Sequence, residues 1–252
     1  GCFLHCLWCS NPESIDSGLE ILIDREKCIG CGRCQLVCPV GGIENPLTDE
    51  RCIRCMQCVL ECPAEARKSA GEEMTVGAVL QEVEKDRPFY EKSGGGVTLS
   101  GGELLVQWQF STSLLRAFKK AGLHTAIETT GLAPWDTLKR VLEFTDLVYY
   151  DIKHMDAEVH KKFTGCDNTR ILENAEKASQ EGKPIVIRVP LIGGVNADPD
   201  NIRQTANFAL QNNIREIHFL PYHKYGAAKY ERLNKAYNCE AHTPDDDEIN
   251  NL

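Results

Sequence analysis

The sequence predicts an α/β fold built on a parallel sheet, with a small cysteine-rich fold inserted near its amino-terminal end. Between residues 71 and 252, apolar or β-branched runs alternate with segments whose apolar residues recur at helical spacing, which indicates βαβ units. The candidate strands are residues 97–100, 124–129, 146–152, 184–191 and 214–220. The helical positions between them are Phe110, Leu114, Leu115 and Phe118, then Leu138, Val141 and Leu142, then Ile202, Ala206 and Ala209.

Composition separates the chain into three regions. Residues 1–23 hold a first cysteine cluster and a connector, residues 24–70 hold eight cysteines and few large apolar residues, and residues 71–252 lack this pattern. A segment with so little apolar core is typical of a fold nucleated by metal clusters. The chain starts at Gly1 with a cysteine motif already under way, and it ends in what reads as the start of a polar-capped helix. We therefore expect both ends to be truncated.

Charge and hydropathy exclude two classes of partner. The net charge is −9 and there is no basic stripe, which argues against nucleic-acid binding, because affinity for phosphate backbones depends on clustered Lys and Arg. No apolar run approaches the roughly 20 residues of a membrane span, and no signal peptide is visible. The sequence therefore predicts a cytoplasmic protein without a membrane partner.

The first cysteine cluster offers three thiolates at the spacing C-x3-C-x2-C. Eleven of the thirteen cysteines lie within the first 62 residues, which favours metal ligation over disulfides. Three thiolates on a [4Fe-4S] cluster leave one iron open, and the amino and carboxylate groups of S-adenosylmethionine (SAM) can chelate that iron. A zinc site with His5 as the fourth ligand is the alternative. Trp8 is a candidate for packing on an adenine ring, or is a plain core or surface Trp. The three thiolates belong to Cys2, Cys6 and Cys9.

The second cysteine region repeats the motif C-x2-C-x2-C-x3-C-P. This is the spacing of bacterial two-cluster ferredoxins, in which the fourth cysteine of each run ligates the cluster of the other run. Zinc ribbons usually show two CxxC pairs instead. The two remaining cysteines, Cys166 and Cys239, are assigned no chemistry. The predicted ligands are Cys28, Cys31, Cys34 and Cys62 for one cluster, and Cys52, Cys55, Cys58 and Cys38 for the other.

Polar motifs follow the predicted strands, where ligands gather in parallel sheets. Glycines at a strand end let a ligand approach the backbone, and the Glu103 carboxylate is a candidate partner for the ammonium group of SAM. Glu128 and Asp151 are candidates for ribose hydroxyls or a cation, while Lys153, Arg188 and His223 are candidates for a carboxylate or a substrate backbone. For each of these side chains, a structural ion pair is the alternative. The motifs are Ser100-Gly101-Gly102-Glu103, Glu128-Thr129-Thr130-Gly131, Asp151-Ile152-Lys153 and Pro221-Tyr222-His223.

Taken together, these motifs resemble the activating enzymes of glycyl radical enzymes, in the subgroup that carries a ferredoxin insert. The resemblance runs from residue 1 to about residue 237 and rests on four stretches. Two departures are the absent segment before the first cysteine, which holds the first barrel strand, and Leu104, where many members have Pro. The four stretches are Cys2 to Glu13, the doubled cysteine motif, Ser93 to Glu103, and Leu220-Pro221-Tyr222-His223.

The resemblance implies an incomplete (β/α)6 TIM-like barrel that lacks its amino-terminal strand, with the SAM cluster at its carboxyl-terminal mouth. Cys2, Cys6 and Cys9 would bind that cluster. The other implied contacts are Gly101, Gly102 and Glu103 on the methionine of SAM, Asp151, Lys153 and His223 around SAM, and Glu128 and Thr129 near the ribose or a monovalent cation. The implied catalytic residues are Lys153 and His223.

The resemblance also implies an activity and its partners. The chain would be an oxidoreductase that cleaves SAM to a 5'-deoxyadenosyl radical, which takes a hydrogen atom from a backbone glycine of a partner glycyl radical enzyme. Family analogy favours a decarboxylase, a dehydratase, a carbon–nitrogen or carbon–sulfur lyase, or a succinate-adding enzyme as that partner. We also expect a flavodoxin or ferredoxin reductant and a monomeric state. The alternatives are another radical SAM enzyme with auxiliary clusters and a non-catalytic iron–sulfur electron carrier.

Overall fold

The computed structural model describes all residues from Gly1 to Leu252, and the chain divides into two units. The first unit comprises Gly1–Leu7, Met74–His223 and Glu240–Leu252. The second unit comprises Trp8–Glu73 and Lys224–Cys239. No helix in the structure is both long and apolar enough to cross a membrane.

The cysteine-rich part of the second unit is built as an internal repeat. Strand β1 (Glu20–Ile23) pairs antiparallel with β2 (Arg67–Ala70), and two one-turn helices lie between them in sequence, α1 (Arg33–Leu36) and α2 (Gln57–Leu60). Each of these helices begins two residues after the second cysteine of its run, so the equivalent residues of the two runs adopt the same local structure.

Equivalent positions of the repeat share the left-handed backbone region even where their side chains differ. Gly32, with φ of 71°, precedes α1, and Met56, with φ of 60°, precedes α2. The residue three places after the fourth cysteine is Gly41 in the first run and Glu65 in the second, with φ of 88° and 49°. The chain path of the doubled motif thus imposes positive φ on non-glycine residues, at a cost of about 1 kcal/mol each.

The first unit contains the parallel sheet that the sequence predicts. Helices α3 (Val76–Glu84) and α4 (Arg87–Ser93) precede β3 (Gly96–Leu99), and five strands then run parallel in the order β3-β4-β5-β6-β7. The remaining elements are α5 (Trp108–Lys120), β4 (His124–Thr129), α6 (Trp135–Leu142), β5 (Leu147–Asp151), α7 (Ala157–Thr164), α8 (Thr169–Gln180), β6 (Ile185–Leu191), α9 (Pro199–Gln211), β7 (Glu216–Pro221) and, near the chain end, α11 (Asp246–Asn250).

Apolar side chains between the sheet and its helices form the core of the first unit. Ile127 and Val148 from the central strands pack with Leu115, Leu138 and other fully buried residues of the surrounding helices. All five predicted strands and the three predicted helical segments are present, which confirms an α/β fold with a parallel sheet. The sequence did not predict α3, α4, α7, α8 or the short antiparallel pair in the second unit.

Helix α10 (Ala227–Arg232) belongs to the second unit, and this changes the domain boundaries that the sequence predicted. The prediction assigned residues 8–23 and 224–239 to the sheet domain, whereas the structure groups both with the cysteine-rich segment. Ion pairs and close backbone packing both connect these residues. Lys229 lies 2.6 Å from Glu13, Arg232 lies 3.3 Å from Asp24, and the Gly226 backbone packs on Ser10, where a Cβ would come within 2.6 Å of the Ser10 Cα.

Candidate functional site

The carboxyl ends of neighbouring strands bring four of the predicted residues into one chain of alternating charges. Asp151 at the end of β5 is the register partner of Arg188 on β6, so their side chains share a face of the sheet. The Arg188 guanidinium pairs with the Glu128 carboxylate on one side and lies 3.1 Å from Asp151 Oδ1 on the other. Lys153 Nζ lies 3.0 Å from Asp151 Oδ2, and the Ser100 hydroxyl donates to Glu128.

Within this chain of charges, two buried atoms keep unused hydrogen-bonding capacity. Arg188 Nε and Asp151 Oδ1 are close enough for attraction, but neither atom has a hydrogen-bond partner. A buried donor or acceptor without a partner costs roughly 1–3 kcal/mol, so a polar ligand that reaches these atoms would gain that amount. Ribose hydroxyls and carboxylates have suitable chemistry for such contacts, so the residues fit the proposed binding of SAM.

Lys153 stays protonated at neutral pH although it is largely buried. Burial is the largest single influence and disfavours the charged form, but the combined attraction of Asp151 and Cys6 outweighs it and raises the pKa of Lys153. The ammonium group therefore supplies a fixed positive charge near a predicted cluster ligand.

Glu103 is held inside the first unit by four hydrogen bonds. Its carboxylate accepts from the Thr129 hydroxyl at 2.7 Å, from the Thr130 hydroxyl at 2.7 Å, from the Thr130 backbone N–H at 2.9 Å and from the Leu105 backbone N–H at 3.2 Å. Only 4% of the residue is exposed, and burial raises its pKa despite these donors.

Glu103 and Thr129 are joined to each other, a contact that the sequence did not predict. Their expected contacts, with the ammonium group of SAM for Glu103 and with the ribose or a cation for Thr129, stay predictions. In the structure, the Thr129 hydroxyl at the end of β4 donates a hydrogen bond to the Glu103 carboxylate, which is buried away from solvent. The two residues tie the ends of β3 and β4 together.

The glycines before Glu103 leave backbone accessible to a ligand. Gly101 has φ of 132°, a conformation that other residues rarely adopt, and a Cβ built on it would meet nothing within 4 Å. Gly101 and Gly102 are both exposed. This open strand end is consistent with close approach of a small ligand to the main chain.

The C-terminal turn of α7 holds the loop that carries Cys2 and Cys6. The backbone N–H of His5 donates to Thr164 O at 2.8 Å, and that of Leu7 donates to Phe163 O at 3.0 Å. His160, which sequence reasoning missed, is 1% exposed and makes a 2.6 Å hydrogen bond from Nδ1 to Cys166 O in the same turn. A single buried histidine carries no distinctive sequence signal.

The other predicted residues lie as follows. His223 is exposed and follows β7 in the first unit. Cys9 and Trp8 belong to the second unit, where the Asn11 backbone N–H donates to Cys9 Sγ at 3.4 Å and Trp8 is buried. No group of three or more His, Cys, Asp or Glu side chains is gathered as a site for a single metal ion.

In the second unit, two cavities follow the crossed pairing of the doubled cysteine motif. A cavity of about 580 Å³ is lined by Cys28, Cys31 and Cys34 of the first run together with Cys62 of the second. A smaller cavity is lined by Cys52, Cys55 and Cys58 together with Cys38 of the first run, and Cys34 borders it as well. The structure thus brings together the two sets of four cysteines that the spacing predicts.

The thiols around these cavities suit iron–sulfur ligation. None of the thirteen cysteines forms a disulfide. The backbone N–H groups of Ile43, Val40 and Gly42 point at the Cys38 sulfur, and these hydrogen bonds, with Ile43 contributing most, lower the pKa of its thiol. Because the thiolate is the ligating form, the donor set fits an iron–sulfur cluster.

Comparison with known proteins identifies the family. The family model of the radical SAM superfamily matches residues 1–209. The trans-4-hydroxy-L-proline dehydratase activating enzyme of Clostridioides difficile is 45% identical over 95% of this chain and 82% of its own length. The choline trimethylamine-lyase activating enzyme of Oleidesulfovibrio alaskensis is 39% identical over 95% of this chain and 81% of its own length. The pyruvate formate-lyase 2-activating enzyme of Escherichia coli is 35% identical over 95% of this chain and 75% of its own length.

Solved structures agree with these relatives. A domain of a pyruvate-formate lyase-activating enzyme from Bacteroides vulgatus matches with a TM-score of 0.53 and 34% identity, covering 62% of this chain and 89% of that domain. A radical SAM methyltransferase from Sphaerobacter thermophilus shares the fold with a TM-score of 0.54 at 14% identity, over 70% and 53% of the two chains. The chain therefore belongs to the radical SAM superfamily and, within it, to the activating enzymes of glycyl radical enzymes.

Proposed function

We propose that this chain generates a 5'-deoxyadenosyl radical from SAM and uses it to take a hydrogen atom from a backbone glycine of a partner glycyl radical enzyme. Membership of the activating-enzyme family supports this function. The observation that carries it at the level of the site is the chain of charges from Glu128 to Lys153. Its buried Asp151 and Arg188 atoms retain capacity for a polar ligand.

In this proposal, Cys2, Cys6 and Cys9 would hold a [4Fe-4S] cluster, and the amino and carboxylate groups of SAM would chelate its open iron. Such a cluster supplies the one electron that splits SAM into methionine and the 5'-deoxyadenosyl radical. The proposal for Cys9 rests on its spacing from Cys6 along the chain.

The protein side chains bind and orient SAM. Gly101 and Gly102 let the methionine backbone approach the main chain, while Asp151 and Arg188 accept from and donate to its polar groups. Lys153 holds its proton through the pairing with Asp151 and keeps a positive charge beside Cys6. We assign His223 to the same ligand from its position after β7. Trp8 stays a candidate for the adenine.

We further propose that the second unit is a ferredoxin-like insert with two [4Fe-4S] clusters, so that the protein carries three. The crossed sets of cysteines around its two cavities support this count. We expect iron analysis of the anaerobically reconstituted protein to give about 12 iron atoms per chain. Substituting Cys38 with Ser should perturb the same electron paramagnetic resonance signal as Cys52→Ser, and Cys62→Ser the same signal as Cys28→Ser. If Cys38→Ser instead matched Cys28→Ser, the crossed pairing would be wrong.

The partner in this proposal is a glycyl radical enzyme of the dehydratase or lyase kind. A reduced flavodoxin or ferredoxin supplies the electrons. The relatives named for a hydroxyproline dehydratase and a choline lyase are 45% and 39% identical, against 35% for the one named for a pyruvate formate-lyase. A partner whose glycine is deuterated should transfer deuterium into 5'-deoxyadenosine.

The first experiment measures 5'-deoxyadenosine made from SAM by the reconstituted protein with dithionite. Cys6→Ala should abolish the product. Cys239→Ala serves as the matched control, because Cys239 lies outside every predicted ligand set, and it should leave the product unchanged. If the fully iron-loaded protein made no 5'-deoxyadenosine even with partner present, the proposed function would be rejected.

A further inference from the structure

The internal repeat of the second unit exposes the same two aliphatic side chains twice. Ile29 in the first run and Ile53 in the second are 68% and 64% exposed, and Leu36 and Leu60 at the next equivalent position are 84% and 75% exposed. Exposed aliphatic residues mark a contact surface where they form one patch, so the surroundings of these residues decide which of them do so.

Charge distinguishes the two halves although their apolar residues match. Arg25 and Arg33 line the same cavity as Ile29, and both are exposed, as is Lys27 two residues before Ile29. None of the three forms a salt bridge, and the exposed acid Glu26 between Arg25 and Lys27 leaves this group with two net positive charges. At the equivalent positions the second half has Asp49, Arg51 and Gln57, and Arg51 is neutralised by Asp49 at 2.5 Å. The first half is therefore the half with free positive charge.

The basic half is also the half whose cysteines reach the surface. Arg25, Ile29 and Arg33 line the cavity of about 580 Å³ that Cys28, Cys31, Cys34 and Cys62 also line. Cys28 and Cys31 are exposed, so the cavity opens to solvent between these cations. Arg67 and one acid, Glu44, complete the charged residues of its lining.

We propose that the face formed by Arg25, Lys27, Ile29, Arg33 and Leu36, here called the entry face, docks a small acidic electron-carrier protein. One electron leaves the reduced carrier and enters the cluster held in this cavity, and no covalent bond forms or breaks. The inference rests on the proposed function in one respect, which is that the cavity holds a cluster.

The net charge of the whole chain makes this local face necessary. With a net charge of −9, the protein as a whole repels an acidic carrier. A positive patch beside the cavity replaces that repulsion with attraction at the place where the electron enters. The exposed Ile29 and Leu36 then supply apolar contact of the limited size typical of transient redox complexes.

The test measures the second-order rate at which a reduced acidic flavodoxin reduces the clusters of the reconstituted protein, by anaerobic stopped flow. We expect the rate for the wild-type protein to fall as salt is added, because screening weakens attraction. The combined variant Arg25→Gln, Lys27→Gln and Arg33→Gln should react about tenfold more slowly at low salt. A wild-type rate that rises with salt would overturn the proposal without any variant.

Matched pairs within the repeat provide the controls. Arg33→Gln and Gln57→Glu each lower the net charge by one at the first position of α1 or α2, and Leu36→Ser and Leu60→Ser remove equivalent aliphatic groups. Only the first member of each pair should slow reduction by the carrier. Equal effects from both members would contradict the proposal. Iron content of each variant shows whether its unit is intact.

Dithionite separates this inference from the proposed function. Formation of 5'-deoxyadenosine with dithionite should be unchanged in the entry-face variants, since a small reductant needs no docking surface. If the wild-type protein failed that assay, the proposed function would fall, while the carrier reduction rates would still decide whether the entry face receives electrons.

Discussion

The backbone of Gly131 lies directly against the buried ring of Tyr150. A Cβ on Gly131 would be 2.8 Å from Tyr150 Cε2 and closer still to the hydroxyl, which is fixed by a 2.7 Å hydrogen bond to Ile171 O. Because Tyr150 is fully buried, its ring has no room to retreat. This contact fixes the loop that follows β4 against β5, beside Glu128 and Asp151.

We expect Gly131→Ala to lower the free energy of unfolding by about 3 kcal/mol, because the new methyl group collides with an immobile ring at positive φ. The control is Gly182→Ala. Gly182 has a similar φ of 75°, compared with 69° for Gly131, but a Cβ there meets nothing within 4 Å. The control should therefore cost only about 1 kcal/mol. Urea denaturation compares the two, and equal losses would show that the Tyr150 contact is irrelevant.

Glycine at position 65 should stabilise the second unit by about 0.5–1 kcal/mol. Glu65 adopts φ of 49° where the first run of the repeat has Gly41, and its only ion pair, with Lys68, is between exposed side chains that contribute little. Glu65→Gly should raise the temperature at which the reconstituted protein loses its cluster absorbance. The reciprocal variant Gly41→Ala should lower it. A fall in both would mean that the Glu65 side chain matters more than its backbone.

Removing the cation between Glu128 and Asp151 should destabilise the first unit and weaken SAM binding. Arg188→Leu leaves two largely buried carboxylates near one another, with an expected cost of about 3 kcal/mol. Arg203→Leu is the matched control, because Arg203 pairs with Asp200 at the surface and should cost no more than about 0.5 kcal/mol. Calorimetry measures both stability and SAM affinity. Unchanged SAM affinity in Arg188→Leu would remove Arg188 from the proposed site.

Stability of the first unit should fall as the pH drops below 6.5, in part through His160. Burial, the largest influence, lowers the pKa of His160 below its usual 6.5. The unfolded chain therefore binds more protons below pH 6.5, so the stability contributed by neutral His160 is complete above 6.5 and is lost as pH falls towards the lower folded pKa. Burial lowers the pKa of His154 as well, so both histidines contribute.

His160→Asn tests this origin, since an amide N–H can replace Nδ1–H as the donor to Cys166 O but does not titrate. The urea midpoint should depend less steeply on pH between about 7.5 and about 5.5 in this variant. His160→Leu also removes the titration but leaves the Cys166 carbonyl with only the longer 3.2 Å hydrogen bond from the Thr164 hydroxyl, and it should lower stability at every pH by about 1 kcal/mol. A pH slope equal to that of the wild type would exclude His160 as a source.

Sequence patterns predicted the strands and helices in which apolar residues recur at a regular spacing. They also predicted the cysteine motifs, whose spacing is set by the chemistry of ligation. The five strands of the parallel sheet were predictable because their apolar runs end in polar residues, and the crossed cysteine sets were predictable because a doubled four-cysteine motif allows few arrangements. Spacing also placed Asp151 and Arg188 at strand ends, but not their pairing, which depends on the register between β5 and β6.

The features that the sequence did not predict depend on contacts between distant residues. The Glu103 carboxylate turns towards Thr129 and Thr130 because the carboxyl ends of β3 and β4 are adjacent, which no local pattern encodes. The attachment of α10 and the residues after it to residues 13–24 involves three ion pairs between residues more than two hundred positions apart in the sequence. His160 acts through a backbone carbonyl of a turn, and such contacts leave no residue signature.

The second unit is assembled from two distant segments, so one segment is translated long before the other. Synthesis of Trp8–Glu73 delivers all eight cysteines of the repeat early, but Lys229, Arg232 and Lys235 emerge only after every strand of the parallel sheet has been translated. The nascent chain therefore carries a cysteine-rich segment whose acidic residues Glu13, Asp16 and Asp24 lack their partners throughout most of translation. A gene fragment encoding only residues 8–73 would leave the unit permanently in that state.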